Sequence, residues 1–301
     1  MKNASVAAPI SQRPMAVILR LVLACAICAA PTIGIAIAAA NLAGFSPATA
    51  VVTQAIASIF VAAFTYRFFV HHFESRPISE LSCAGAWREV GIGVAIGSGL
   101  FSLSVAVLAV AGAFTYLGIG KPSSLPYSFL AAVAAAFTEE VIFRGILFRL
   151  LESAFGSYAA LVASSVVFGA FHLLSPGATA QGVVAIMLEA GLLLGVAFMV
   201  TRRLWLPIGL HFGWNFVQGG IFGTAVSGNP SSGLLQGNLV GPEWLSGGAF
   251  GAEASIVSIA LCFVMAWLLF RVALAKHRVV PFGHVNRHQL TPTTQRSNND
   301  G

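Results

Sequence analysis

The sequence predicts an all-α, polytopic membrane bundle of about eight spanning helices with both termini in the cytoplasm. Three observations carry this reading. Of 301 residues, 57% are apolar and only 9% are charged, with a mean hydropathy of +0.86, whereas soluble domains carry roughly a quarter charged residues. The apolar residues fall in long uniform runs of roughly 20, the length that crosses hydrocarbon as a helix, and not in the alternating pattern of a membrane β-barrel. The positive charges sort to one side of those runs.

Taken in order, the runs are Met15 to Ala40, Ala48 to Val70, Gly91 to Tyr116, Ser128 to Leu151, Gly156 to Leu174, Gln181 to Thr201, Leu204 to Ala225 and Ser255 to Lys276. The first has no polar cleavage region and is followed by further spans, so it reads as a helix and not as a signal peptide. Between the runs, His71 to Glu89 is a polar cytoplasmic connection, and Ser227 to Gly251 is an outer loop rich in Gly, Asn, Pro and Ser. Residues 1–278 form one transmembrane domain with its chemical core at about 128–225, and 279–301 form a polar tail expected to be disordered.

With the amino terminus inside, only Lys121 of the 16 Lys and Arg residues falls in an outer segment. That asymmetry is the positive-inside pattern, and it accounts for the net charge of +6 without nucleic acid. Cys25 and Cys28 form a CxxC, but Leu, Ala and Ile surround them, which is not a setting that lowers a thiol pKa. No redox or metal role is expected there.

An ionisable side chain inside a spanning helix is costly enough to point to function. Here such residues fall in four consecutive runs: Glu139, Glu140 and Arg144, then His172, then Glu189, then His211 with Asn215. Adjacent Glu139 and Glu140 lie about 100° apart around a helix and cannot face one partner. Glu140 and Arg144 have the spacing and polarity of an intrahelical ion pair. Glu139 has no such partner, which makes it the candidate to face a water-containing cavity as general base. His211 and Asn215, four apart, share a face and can aim N–H donors at a developing oxyanion. His172, His211 and Glu139 are equally a donor set for a divalent metal such as zinc. The HExxH arrangement is absent, so directly activated and metal-bound water both stay open at this point. Glu189 is read as a residue that snorkels, pairs or lines a groove.

Three motifs carry a resemblance. They are Glu139-Glu140-Val141-Ile142-Phe143-Arg144-Gly145, then Phe168-Gly169-Ala170-Phe171-His172, then His211-Phe212-Gly213-Trp214-Asn215. In this order the sequence resembles the CPBP family of intramembrane proteases, which includes prenyl-protein endopeptidases acting on CAAX proteins and bacterial proteins linked to bacteriocin processing or immunity. The resemblance is strong from Ser128 to Phe216. It implies that Glu139 and His172 activate the hydrolytic water, that His211 and Asn215 stabilise the oxyanion, and that Glu140 and Arg144 support the site. The implied substrate is a membrane-embedded or lipidated protein met within lipid, and the implied location is a cell membrane, the bacterial inner membrane. An inactive scaffold or immunity factor and an ion-coupled transporter are the rival classes; the lack of an inverted repeat counts against the transporter.

Overall fold

A single apolar run in hydrocarbon must satisfy its own backbone, and a helix does this within the segment. The computed structural model describes residues 14–31, 34, 38 and 47–282, and helix dominates it. In chain order the elements are α1 (Pro14–Ala24), α2 (Pro47–Phe69), α3 (Ala86–Val110), β1 (Phe114–Ile119), α4 (Leu125–Glu140), α5 (Arg149–Phe171), α6 (Ala180–Ile186), α7 (Leu192–Thr201), α8 (Trp205–Asn215), β2 (Leu235–Leu239), α9 (Glu243–Ser246) and α10 (Ile256–Ala275). Among the described residues five helical stretches are long and apolar enough to cross a membrane: Thr49–Glu74, Ala86–Val110, Pro122–Leu174, Ala180–Thr201 and Ile256–Ala275. The protein is an integral membrane protein.

Stretches of wider π-helix extend or join these helices. They are Cys25–Ala29 after α1, Val70–Glu74 after α2, Val141–Phe148 between α4 and α5, Met187–Gly191 between α6 and α7, and Phe216–Ile221 after α8. The third stretch, 53 residues from Pro122 to Leu174, is about 80 Å of helix at 1.5 Å per residue, far beyond one bilayer crossing. It is broken at Gly156, whose φ of 77° and ψ of 171° are not helical. The residues after α10 occupy that break: Ser157 N donates to Val280 O and Val280 N to Ser157 Oγ, each at 2.8 Å. The first residues of the expected disordered tail are therefore packed, while 283–301 and the end of the first run lie outside the described residues.

Two expected boundaries are corrected. The run Gly91 to Tyr116 does not continue as helix, because α3 stops at Val110 and Phe114–Ile119 forms a strand. That strand pairs antiparallel with β2, matching Phe114 to Leu239, Thr115 to Asn238 and Tyr116 to Gly237. The run Leu204 to Ala225 is helical only to Asn215 and then widens into π-helix to Ile221.

At the end of the bundle that carries the Arg202-Arg203 turn, the arginines are engaged with acids. Arg149 meets Glu74 at 2.9 Å, Arg76 meets Glu74 and Glu80 at 2.8 and 2.9 Å, Arg202 meets Glu152, and Arg203 meets Glu89 at 3.4 Å.

The closest helix pair is α3 against α8. A methyl group at Gly93 would lie 2.6 Å from Leu210 N, one at Gly97 would lie 2.9 Å from Trp214 N, and one at Gly213 would lie 2.6 Å from Val94 O. Gly93 and Gly97 on one helix and Gly209 and Gly213 on the other are both spaced by four, the small-residue pattern that brings helix backbones together in lipid. This contact sets the position of the helix carrying His211 and Asn215. Substitution Gly97→Ala is therefore expected to lower stability by about 1–3 kcal/mol through overpacking. Gly99→Ala, on the exposed face with nothing within 4 Å, is expected to be neutral or to stabilise by about 0.5–1 kcal/mol through helix propensity. Thermal melting of both variants in detergent checks the contrast, which equal shifts would contradict.

Candidate active site

Arg144 is the largest fully buried side chain among the described residues. Its guanidinium donates to Glu140 Oε1 at 2.8 Å and to the carbonyls of Ala190 and Gly191 at 3.1 and 3.3 Å. It also lies over the ring of Phe168, 4.4 Å from the centroid. The intrahelical spacing of Glu140 and Arg144 is thus used as an ion pair, with the two side chains 0% and 1% exposed. On the same carboxylate oxygen, Glu140 accepts from His211 Nδ1 at 3.0 Å. One acid therefore ties the π segment after α4 to α8, while its arginine reaches α5 and the π segment before α7.

Glu139, the next residue, looks elsewhere. Its side chain is 20% exposed, and Oε2 lies 4.0 Å from His211 Nε2 with no hydrogen-bond partner. A cavity of about 230 Å³ opens at this point, lined by Glu139, Phe171, His172, His211 and Asn215 together with Ser175, Val226, Ser227 and Asn229. The four residues expected to carry chemistry, drawn from three separate segments, thus line one space. An apolar groove of about 530 Å³ shares Ala135, Glu139 and Phe171 with that cavity and runs along α1, α2, α4 and α5 past Ala55, Ala131, Ile142 and Val167.

The ring tautomers follow from the hydrogen bonds. His172 Nδ1 faces its own helix's Phe168 carbonyl at 2.8 Å, so Nδ1 carries the proton and Nε2 of the neutral ring keeps its lone pair. That is the form a general base requires. His211 has Nδ1–H committed to Glu140, so its Nε2 can donate only when the ring carries both protons. An oxyanion role for His211 therefore requires the imidazolium.

Among the described residues no three His, Cys, Asp or Glu side chains are grouped to hold a metal ion.

Sequence reasoning missed the loop walls, Ser175 and Val226 to Asn229, because loop segments carry no periodicity that fixes their fold. The segment is well tied down: Val226 and Asn229 bridge each other, Gly177 N donates to Gly228 O at 2.8 Å, and Ser227 N donates to the buried Glu253. Glu253 was also missed, although a lone acid in Phe250-Gly251-Ala252-Glu253-Ala254 is a signal that could have found it. Glu189 lies in a separate small space behind the cavity, 2% exposed.

Residues 121–217 match the family model described as type II CAAX prenyl endopeptidase Rce1-like. No curated protein and no solved structure matches the chain. The matched region contains all three motifs and every residue expected to carry chemistry. Over residues 121–217 the chain is thus similar to the Rce1-like type II CAAX prenyl endopeptidase family, consistent with the CPBP resemblance of its motifs and, at the level of that family, with a membrane protease.

Proposed function

We propose that the protein is an intramembrane endopeptidase that hydrolyses a peptide bond of a membrane-embedded or lipidated protein. The observation that carries this reading is the shared cavity: Glu139, His172, His211 and Asn215 around one space of about 230 Å³ that adjoins an apolar groove. The groove takes the lipid or transmembrane part of the substrate and presents the scissile carbonyl at its Glu139 end.

The reaction then runs on this chain's own groups. Glu139 or His172 Nε2 removes a proton from water as its oxygen attacks the carbonyl carbon. The carbonyl π pair becomes an oxyanion, which accepts N–H from Asn215 Nδ2 and from Nε2 of protonated His211. The proton taken from water passes to the departing nitrogen, the C–N bond breaks, and a carboxylic acid and an amine leave. Glu140 and Arg144 hold the frame. A catalytic core at about 128–225, about eight crossings, and both termini on the side of Arg202 and Arg203 complete the proposal.

Three measurements test it. Glu139→Gln should abolish cleavage of a lipidated or membrane-embedded reporter peptide while leaving melting temperature nearly unchanged. Glu140→Gln should lower melting temperature as well, by the equivalent of about 3–5 kcal/mol, because it strips the buried Arg144 of its counter-charge. Full cleavage by correctly inserted Glu139→Gln protein would remove the protease assignment.

His172→Ala, His211→Ala and Asn215→Ala should each reduce cleavage sharply. The last two should lower kcat on the order of 100-fold with a smaller change in KM, as expected for donors that act in the transition state. A pure KM effect would place them in substrate binding instead.

Single cysteines introduced near Lys121, in Ser227 to Gly251 and beside Arg202 should label in intact cells from outside, outside and inside, respectively. Labelling of the Arg202 site by an impermeant reagent would reverse the orientation.

A further inference from the structure

Behind the catalytic cavity lies a second, smaller one of about 30 Å³, enough for one water molecule. His172, His211, Asn215 and Ser227 line both spaces. The rest of the small cavity includes Glu189 from the π segment before α7, Glu253 from the turn before α10, Cys262 from α10 and Trp214 from α8. Glu189 and Glu253 are 2% and 1% exposed, and neither forms an ion pair with a Lys or Arg among the described residues. Arg144 is committed to Glu140. The titratable groups facing the two acids are Cys262, His172 and His211.

Two buried carboxylates lining one small space without a cation repel, and such a pair is stable with a proton on one member. The surroundings are those of a built polar site. Ser227 N donates to Glu253 Oε1, and the side chains of Gln218 and Trp214 are turned to the same carboxyl. Glu189 Oε2 and Trp214 Nε1 have no hydrogen-bond partner.

We propose that Glu189 and Glu253 form a proton-sharing acid pair that positions the catalytic residues from behind. The pair acts on two handles. Trp214 is the neighbour of Asn215 on α8, so fixing its ring fixes the carboxamide beside it. Ser227 is a wall of the catalytic cavity, held by its backbone N–H on Glu253. Both acids are positioning residues, and the inference rests on the hydrolase reading for its kinetic consequence only.

Glu253 lies outside the spanning helices, and burial pushes its carboxyl from 4.5 up to about 7. The sign follows from proton counting. The folded protein holds this proton more tightly than the unfolded chain does, so the contribution to stability is full below 4.5 and is lost as pH rises through about 7.

The test compares wild type, Glu189→Gln, Glu253→Gln and the double variant as purified full-length protein. Melting temperature against pH should fall for wild type across that interval. The fall should be displaced to lower pH in each single variant, where the remaining carboxyl no longer faces a second negative charge, and absent in the double variant. With a lipidated reporter peptide, each single variant should lose about tenfold in kcat with KM nearly unchanged, the scale of one positioning hydrogen bond. The double variant should be no worse than either single one. Melting curves parallel to wild type in both single variants, or additive kinetic losses, would overturn the pair. Should one variant fail to insert, the curve of the other decides. Failure of the wild-type protein to cleave any reporter would count against the hydrolase reading and leave the melting comparison to judge the pair.

Discussion

The buried guanidinium of Arg144 is the constraint around which this membrane protein is arranged. An arginine in hydrocarbon stays charged, so its charge and its N–H groups must be met by the protein itself. Here Glu140 supplies the charge, two backbone carbonyls at Ala190 and Gly191 supply acceptors, and the Phe168 ring supplies a polarisable face. Those partners belong to four separate elements once His211 on Glu140 is included. Satisfying one side chain therefore fixes the relative placement of every helix that carries a polar residue of the site. Pairs of this kind are weak evidence for stability but strong determinants of arrangement, since removing either partner leaves an uncompensated charge.

From that constraint the division between two neighbouring acids follows. Rotation of about 100° per residue means that if Glu140 faces the arginine, Glu139 cannot. Burial differs accordingly, with one side chain at 0% and the other at 20% exposure. The same geometry dictates the chemistry of His211: by taking its Nδ1–H, Glu140 ensures that the ring's other nitrogen is useful as a donor only in the imidazolium form. Glu139 at 4.0 Å from that nitrogen provides a second negative charge beside it. One buried carboxylate thus pairs with Arg144 and sets the tautomer of His211, beside which Glu139 stands.

Much of this was legible in the sequence because it is a matter of spacing. The i,i+4 relation of Glu140 to Arg144 and of His211 to Asn215, and the confinement of ionisable residues to four successive runs, do not depend on where a helix ends. Boundaries were less legible. Phe114 to Ile119 is as apolar as a helix interior, and hydropathy does not distinguish a strand that pairs with Leu235–Leu239 from one more helical turn. The π segments are equally silent, since widening a turn changes which face a residue takes without changing composition. Residue type alone allows His172, His211 and Glu139 to ligate a metal, whereas grouping depends on distances that spacing in sequence does not encode; among the described residues no such group of three is formed. Loop walls and Glu253 depend on contacts far apart in sequence, which no local pattern encodes.

The apolar groove meets the polar cavity along a sharp chemical boundary. Polar side chains do line it, but the hydroxyls of Ser58 and Thr138 are spent on their own helices, donating to Ala55 O at 3.0 Å and Ala134 O at 2.7 Å. Back-bonding of this sort removes a hydroxyl from the surface a ligand feels. What remains along the wall is hydrocarbon, interrupted by Gln54 and, at the junction with the catalytic cavity, by the carboxylate of Glu139. A hydrophobic moiety gains nothing by moving past that junction, because the next space is lined by His172, His211, Asn215, Ser175 and Asn229. Under the proposed hydrolysis, the boundary between groove and cavity is also a ruler: it would stop the apolar part of a bound chain at Glu139 and place whatever polar group follows it beside that carboxylate.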